Sequence, residues 1–319
     1  MQGVSAVYRK ELSDHLSSYR FVIIFALIAM VSFITSYMAG IHLKAGLEGV
    51  AKPKFVFLML FNTTGALFSM VQFVAFFGPL IGIVLGFDAI NRERGEGTLI
   101  KVVSQPIYRD SIINGKFLAG VTTISIMLVS IVLVISGLGL MLLGVVPGVE
   151  EVGRLFFYVI ISIFYISFWL GLSILFSIFF RSIATSALAS VALWIFLSFF
   201  VSLGASVLAD MVAPVDAQGS ESTEATLRNI QIKQFITLFS PMSLYTNASA
   251  TIIDPMRKTA DSLVLMGPME KLSASRFQNP LPMGQSVLVV YPYIVILISL
   301  TLLCFAISYL VFMLQEIRT

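Results

Sequence analysis

Chemistry needs polar side chains, and in this chain they concentrate in residues 88–116, DAINRERGEGTLIKVVSQPIYRDSIINGK, between two long apolar runs. Arg92, Glu93, Arg94 and Glu96 crowd the start of the stretch, and Gly95 and Gly97 loosen it. Leu99, Ile100, Val102 and Val103 carry an amphipathic turn or two until Pro106 interrupts, and a second helical pattern then runs from Ile107 through Ile112 and Ile113. The stretch therefore reads as a bent helical pair at a membrane surface. Its apolar face can dock into a cleft on a partner, or it can lie flat on lipid headgroups; the spacing alone allows both.

Other reaction chemistry finds little footing. Gly115-Lys116 is followed by Phe117, and no earlier glycine completes a phosphate loop, so ATP hydrolysis is not expected on this chain. The two histidines, His15 and His42, fall on opposite predicted sides of the membrane and cannot share a haem or a zinc. Serines recur in the apolar runs (Ser162, Ser167, Ser173, Ser177, Ser198, Ser202), but a serine nucleophile needs a base and none is near; hydrogen bonding to helix backbones is their reading. Met266, Met269 and Met283 lack the Cys or His that would make a soft-metal site. Neither a catalytic residue, nor a cofactor site, nor a metal site is expected.

The elements that must position residues 88–116 are membrane helices. Of 319 residues, 58% are hydrophobic and 12% charged, at a mean hydropathy of +0.96, outside the range of soluble domains. A formal net charge of +3, with the basic residues dispersed, gives no footing for nucleic acid. The expected fold is an all-α membrane protein of six spans, near residues 21–40, 66–87, 117–143, 155–180, 183–208 and 287–313. Residues 1–20 form an interfacial helix, residues 21–209 hold spans one to five with the polar segment 88–116, and residues 285–319 hold span six with a short tail. Residues 210–284 make a large water-exposed external loop, in which Ile232, Phe235, Ile236 and Phe239 recur at helical spacing. Gly78, Gly82 and Gly86 line one face of span two, a surface for close helix packing. The middles of the spans hold no ionisable residue, which disfavours an ion-coupled carrier. With both termini inside, ten Lys and Arg flank the spans on the cytoplasmic side against four in the short external loops, one of the four being Arg154.

The run RERGEGTLIKVVSQPIYRDSIINGKFLAG resembles the cytoplasmic-loop signature of ABC-2-type transporter permeases, in which a charged cluster precedes Gly-Thr-Leu, then Ser-x-Pro-Ile, Arg and Gly-Lys. Here these are Glu93, Gly97, Thr98, Leu99, Ser104, Pro106, Ile107, Arg109, Gly115 and Lys116. The layout is similar to the subgroup with a large external loop before the last helix, which includes permeases of nitrous-oxide-reductase maturation. The resemblance implies an elbow helix before span one, a cytoplasmic coupling helix between spans two and three, and a plasma-membrane location with both termini cytoplasmic. It implies a separate ABC ATP-binding subunit that binds the ATP, a second permease chain, and export. Glu93, Glu96, Gly97, Thr98, Leu99, Val102, Val103, Ser104, Pro106 and Arg109 then form the ATPase-coupling segment. Salt bridges of Glu93 and Glu96 would position it, and Leu99, Val102 and Val103 would supply the docking area, since exposed ion pairs contribute little. The alternative is a multi-pass scaffold that recruits a partner without transporting anything.

Overall fold

The computed structural model describes residues 2–47, 55–62, 69–98, 108–214, 223–257 and 280–315. Six stretches of helix are long and apolar enough to cross a membrane: Tyr19–Leu47, Met70–Gly95, Arg109–Leu143, Val149–Phe179, Ile183–Val212 and Met283–Leu314. The chain is thus an all-α, six-span membrane protein, and no strand occurs among the described residues. In order the helices are α1 (Gln2–Ser17), α2 (Tyr19–Leu47), α3 (Val56–Asn62), α4 (Met70–Gly86), α5 (Asn91–Gly95), α6 (Arg109–Leu143) and α7 (Val149–Phe179). There follow α8 (Ile183–Ile195), a π-helical turn (Phe196–Phe200), α9 (Val201–Val212), α10 (Thr223–Thr237), α11 (Pro241–Ile253) and α12 (Met283–Leu314).

Helix α7 is the axis of the bundle, packed against α4, α6, α8, α11 and α12. Two thirds of its apolar stretch, 67%, is buried, against 17% for α2 and for the fifth span, whose residues face outward. Lipid gives helices no hydrophobic reason to associate, so close packing and hydrogen bonds must hold them. Both are concentrated on α7. A Cβ on Gly82 would stand 2.6 Å from the Ile166 carbonyl oxygen and 2.8 Å from the Leu170 nitrogen, and one on Gly86 would stand 2.8 Å from the Leu170 oxygen. Gly78 likewise faces Ile166. The three glycines let the α4 backbone rest directly on α7 of the same chain. The span-four serines reach out from the other side of that contact: Ser173 Oγ donates to the Ile83 carbonyl at 3.0 Å, and Ser162 Oγ donates to Tyr158 of its own helix at 2.8 Å. Ser308 and Thr301 of α12 donate to the carbonyls of Gly171 and Phe164, both at 3.1 Å.

Two readings of the sequence need correcting. Residues 241–253, expected within a water-exposed loop, form a helix sunk among the spans, with Leu244, Tyr245, Ala248 and Ile252 all buried and the Tyr245 ring stacked on Tyr165 at 4.4 Å. Arg154, counted among exposed loop cations, lies inside α7 with no solvent exposure at all. It donates to the Ile252 carbonyl at 2.9 Å, Ser286 Oγ at 3.1 Å and Glu150 Oε1 at 3.1 Å, and also to the Leu281 carbonyl. One guanidinium thus joins α7, α11 and the start of α12. Helix α10 holds Ile232, Phe235 and Ile236, while Phe239 falls just past its end; Phe235 and Phe239 are exposed.

Candidate functional site

The polar stretch 88–116 is described at both flanks. Residues 99–107, which hold Leu99, Val102, Val103, Ser104 and Pro106, lie outside the described residues. The entry flank leaves α4 through a turn. There Ser177 Oγ of α7 accepts the backbone N–H groups of Ile90 at 2.9 Å and Asn91 at 3.1 Å, capping the short helix α5 against the bundle. Asp88 pairs with Arg20 at 2.8 Å, tying the same turn to the start of α2. Beyond α5, Gly97 takes a left-handed conformation, φ 69°, and the Thr98 hydroxyl bonds back to the Glu93 carbonyl at 3.2 Å.

Glu93 and Glu96 part company. Among the described residues Glu96 pairs with Arg92, one helical turn away and exposed. Glu93 turns inward, and its Oε1 meets Lys116 Nζ at 2.9 Å. The same ammonium meets Glu11 Oε1 of α1 at 2.9 Å. Lys116 sits seven residues after the start of α6 and is only 5% exposed, so the two carboxylates are its compensation for leaving water. Lys10 bridges the rim, 3.1 Å from Glu11 and 3.7 Å from Glu93. Burial works against ionisation of Glu11, but the Lys116 and Lys10 ammoniums outweigh it and hold the carboxyl below its ordinary range. Burial likewise disfavours the Lys10 charge, and Glu11, Glu93 and Asp14 together overcome it and raise its pKa. His15, nearby on α1, is pushed down by burial. A cavity of about 710 Å³ opens beside this cluster, with Asp14, His15, Arg20 and Arg92 among its walls.

The exit flank converges on the last helix. Arg109 donates to the Gln315 carbonyl at 3.0 Å and lies over the Phe312 ring at 5.9 Å. Arg94, from the entry flank, donates to the side chain of that same Gln315 at 2.6 Å. Both ends of the connector are therefore rooted at the C-terminal end of α12. Of the residues singled out from the sequence, the structure brings Glu93 and Lys116 together, places Arg109 separately against the end of α12, and leaves Glu96 at the surface. Sequence reasoning did not find Glu11, Lys10 or Gln315. The available signal was Lys116 itself, a cation within an apolar helix, which demands a counter-charge from somewhere.

Fold and site together define a polytopic helical membrane protein with a charged connector anchored at one end of the bundle. The chain belongs to the ABC-2 family of transporter proteins, whose family model matches residues 5–317. It is similar to the probable ABC transporter permease protein NosY of Stutzerimonas stutzeri, 33% identical over 117 residues, and to that of Pseudomonas aeruginosa, 32% identical over 118 residues. Each match spans 37% of this chain and 38% of the relative's length.

Proposed function

We propose that the chain is the permease subunit of an ATP-driven ABC exporter, pairing with a second permease chain and driven by a separate ABC ATP-binding subunit that carries the ATP and its hydrolysis. In this reading the protein lies in the plasma membrane with both termini cytoplasmic. The segment from Gly97 to Arg109 rests in a groove of the ATPase, with Leu99, Val102 and Val103 as its apolar contact, Ser104 and Pro106 shaping the bend, and Thr98 fixing the entry.

The observation that carries this reading is the convergence of Arg94 and Arg109 on Gln315. A connector rooted at the ends of spans two, three and six cannot be pushed without moving those spans, which is what conversion of ATPase closure into helix movement requires. The likeness to the NosY permeases supports the same assignment.

The test is co-purification of the tagged chain in mild detergent. The wild type brings down a soluble protein with a phosphate-loop motif, and the double variant Leu99→Asp, Val103→Asp inserts normally but loses it, along with transport. Undiminished retention by the variant counts against docking through this segment; capture of a partner without nucleotide-binding chemistry favours a scaffold. Labelling of Lys101 from outside the cell would reverse the orientation.

A further inference from the structure

The permease reading assigns the coupling role to residues 97–109, and leaves α1 as an elbow. The charge cluster says more. Lys116 is held between one carboxylate from α1 and one from α5, each at 2.9 Å, although Glu11 lies 105 residues away in sequence. Glu11 and Glu93 face Lys116 inside and Lys10 at the rim, where Asp14 also pairs with Lys10 at 3.6 Å. Pulling α1 away from α5 takes one of its two carboxylates from the buried Lys116 ammonium and breaks the 2.9 Å pair that links the helices, so the compensation of that charge holds α1 and α5 together.

Helix α1 also has no freedom to slide. A Cβ on Gly115 would stand 2.7 Å from the Val7 side chain and 3.1 Å from the Tyr8 nitrogen, so α1 lies backbone-close on α6 beside Lys116. About two helical turns further along α6, the Tyr8 hydroxyl donates to Thr122 at 3.2 Å.

We infer that Lys116 is a positioning residue that locks α1 to the entry of the connector, so that α1 moves with the connector as one body and is itself part of the coupling device. This rests on the permease reading above. A push on residues 97–109 then reaches the bundle by two routes: through Gln315 to α12, and through Glu93, Lys116 and Glu11 to α1.

The informative variant is Glu11→Gln. It cuts the α1 side of the lock while leaving Lys116 paired with Glu93, so the buried ammonium is not orphaned. The chain is purified with its ATP-binding partner and reconstituted in lipid nanodiscs. Spin labels are placed on α1 (Arg9→Cys) and at the exposed end of α7 (Phe179→Cys), with the buried Cys304 replaced by alanine. In the otherwise wild-type chain ATP shifts the distance between the labels. In Glu11→Gln the shift is lost while ATP hydrolysis and partner retention persist, and Glu11→Asp restores it. Lys116→Met gives the same loss if it folds; the conclusion does not depend on that variant. A full ATP-driven shift in Glu11→Gln overturns the lock, and so does a loss that Glu11→Asp cannot restore. If the wild-type chain retains no ATP-binding partner, the permease reading itself fails, a different result from a retained partner with an undiminished shift in the variant.

Discussion

The hydroxyl of Tyr165 donates to the Ala75 carbonyl at 2.7 Å, and Ala75 is the residue whose helical donor Pro79 removes. A proline inside a helix leaves the carbonyl four residues back without its N–H, and in lipid no water replaces it. Helix α4 runs through Pro79 because α7 supplies the missing hydrogen. Tyr165→Phe keeps the ring stacked on Tyr245 and removes the hydroxyl that makes that bond. It is expected to destabilise the protein by about 0.5–1.5 kcal/mol, read as a lower thermal midpoint in detergent.

The α4 glycines should not tolerate a methyl group. Gly82→Ala brings a Cβ within 2.6 Å of backbone that cannot give way, and is expected to cost about 1–3 kcal/mol through separation of α4 from α7. Gly204→Ala on α9 meets nothing within 4 Å, and is expected to be neutral or to stabilise by up to about 1 kcal/mol. Unfolding midpoints measured side by side fall for Gly82→Ala and hold or rise for Gly204→Ala.

Acid sensitivity should follow Glu11. Its folded pKa lies below the ordinary 4.5 because Lys116 and Lys10 outweigh the effect of burial. The unfolded chain therefore takes up this proton first as pH falls. The stabilisation is full above 4.5 and is lost on descent through the lowered folded value. Glu11→Gln removes this contribution, so the difference in thermal midpoint between wild type and variant is largest near neutrality and shrinks in acid. His15 adds a separate loss that begins higher: burial lowers its folded pKa below 6.5, so protonation from about that pH downward favours the unfolded chain.

Arg154 should be the most sensitive single position at the far end of the bundle. Arg154→Met leaves the carbonyls of Ile252 and Leu281 without that donor, and Glu150 without its cation. The expected loss is about 3–5 kcal/mol, with poor yield of folded protein after detergent extraction. Arg154→Lys recovers only part of it, since an ammonium lacks the planar fork that reaches three elements at once.

The spans were legible because lipid leaves the chain so few options: about 20 apolar residues must form a helix that satisfies its own backbone. Helices overrun the apolar runs at their ends, as Tyr19–Leu47 overruns 21–40, because polar residues there continue the hydrogen-bonded ladder into the interface. The four-residue glycine spacing of α4 was readable, though not which helix would lie against it. Helix α11 falls in the region 210–284 that reads as water-exposed, and its hydroxyls give no local sign of burial. Thr246 and Thr251 instead bond to carbonyls of their own helix, Ser243 and Asn247, and so enter the bundle without needing water. The pairing of Glu11 with Lys116 was beyond local reading, since nothing in either neighbourhood points across 105 residues.

The buried placement of α11 has a consequence for biogenesis. Helix α7 leaves the ribosome well before α11 and α12: the acceptor at Ile252 follows Arg154 by 98 residues and Ser286 follows it by 132. Until those arrive, the nascent fourth span carries a guanidinium whose local acceptor, among the described residues, is Glu150. The axis of the bundle is thus laid down early but completed last, so a chain truncated before residue 252 should be held at the translocon or degraded rather than released as a five-span remnant.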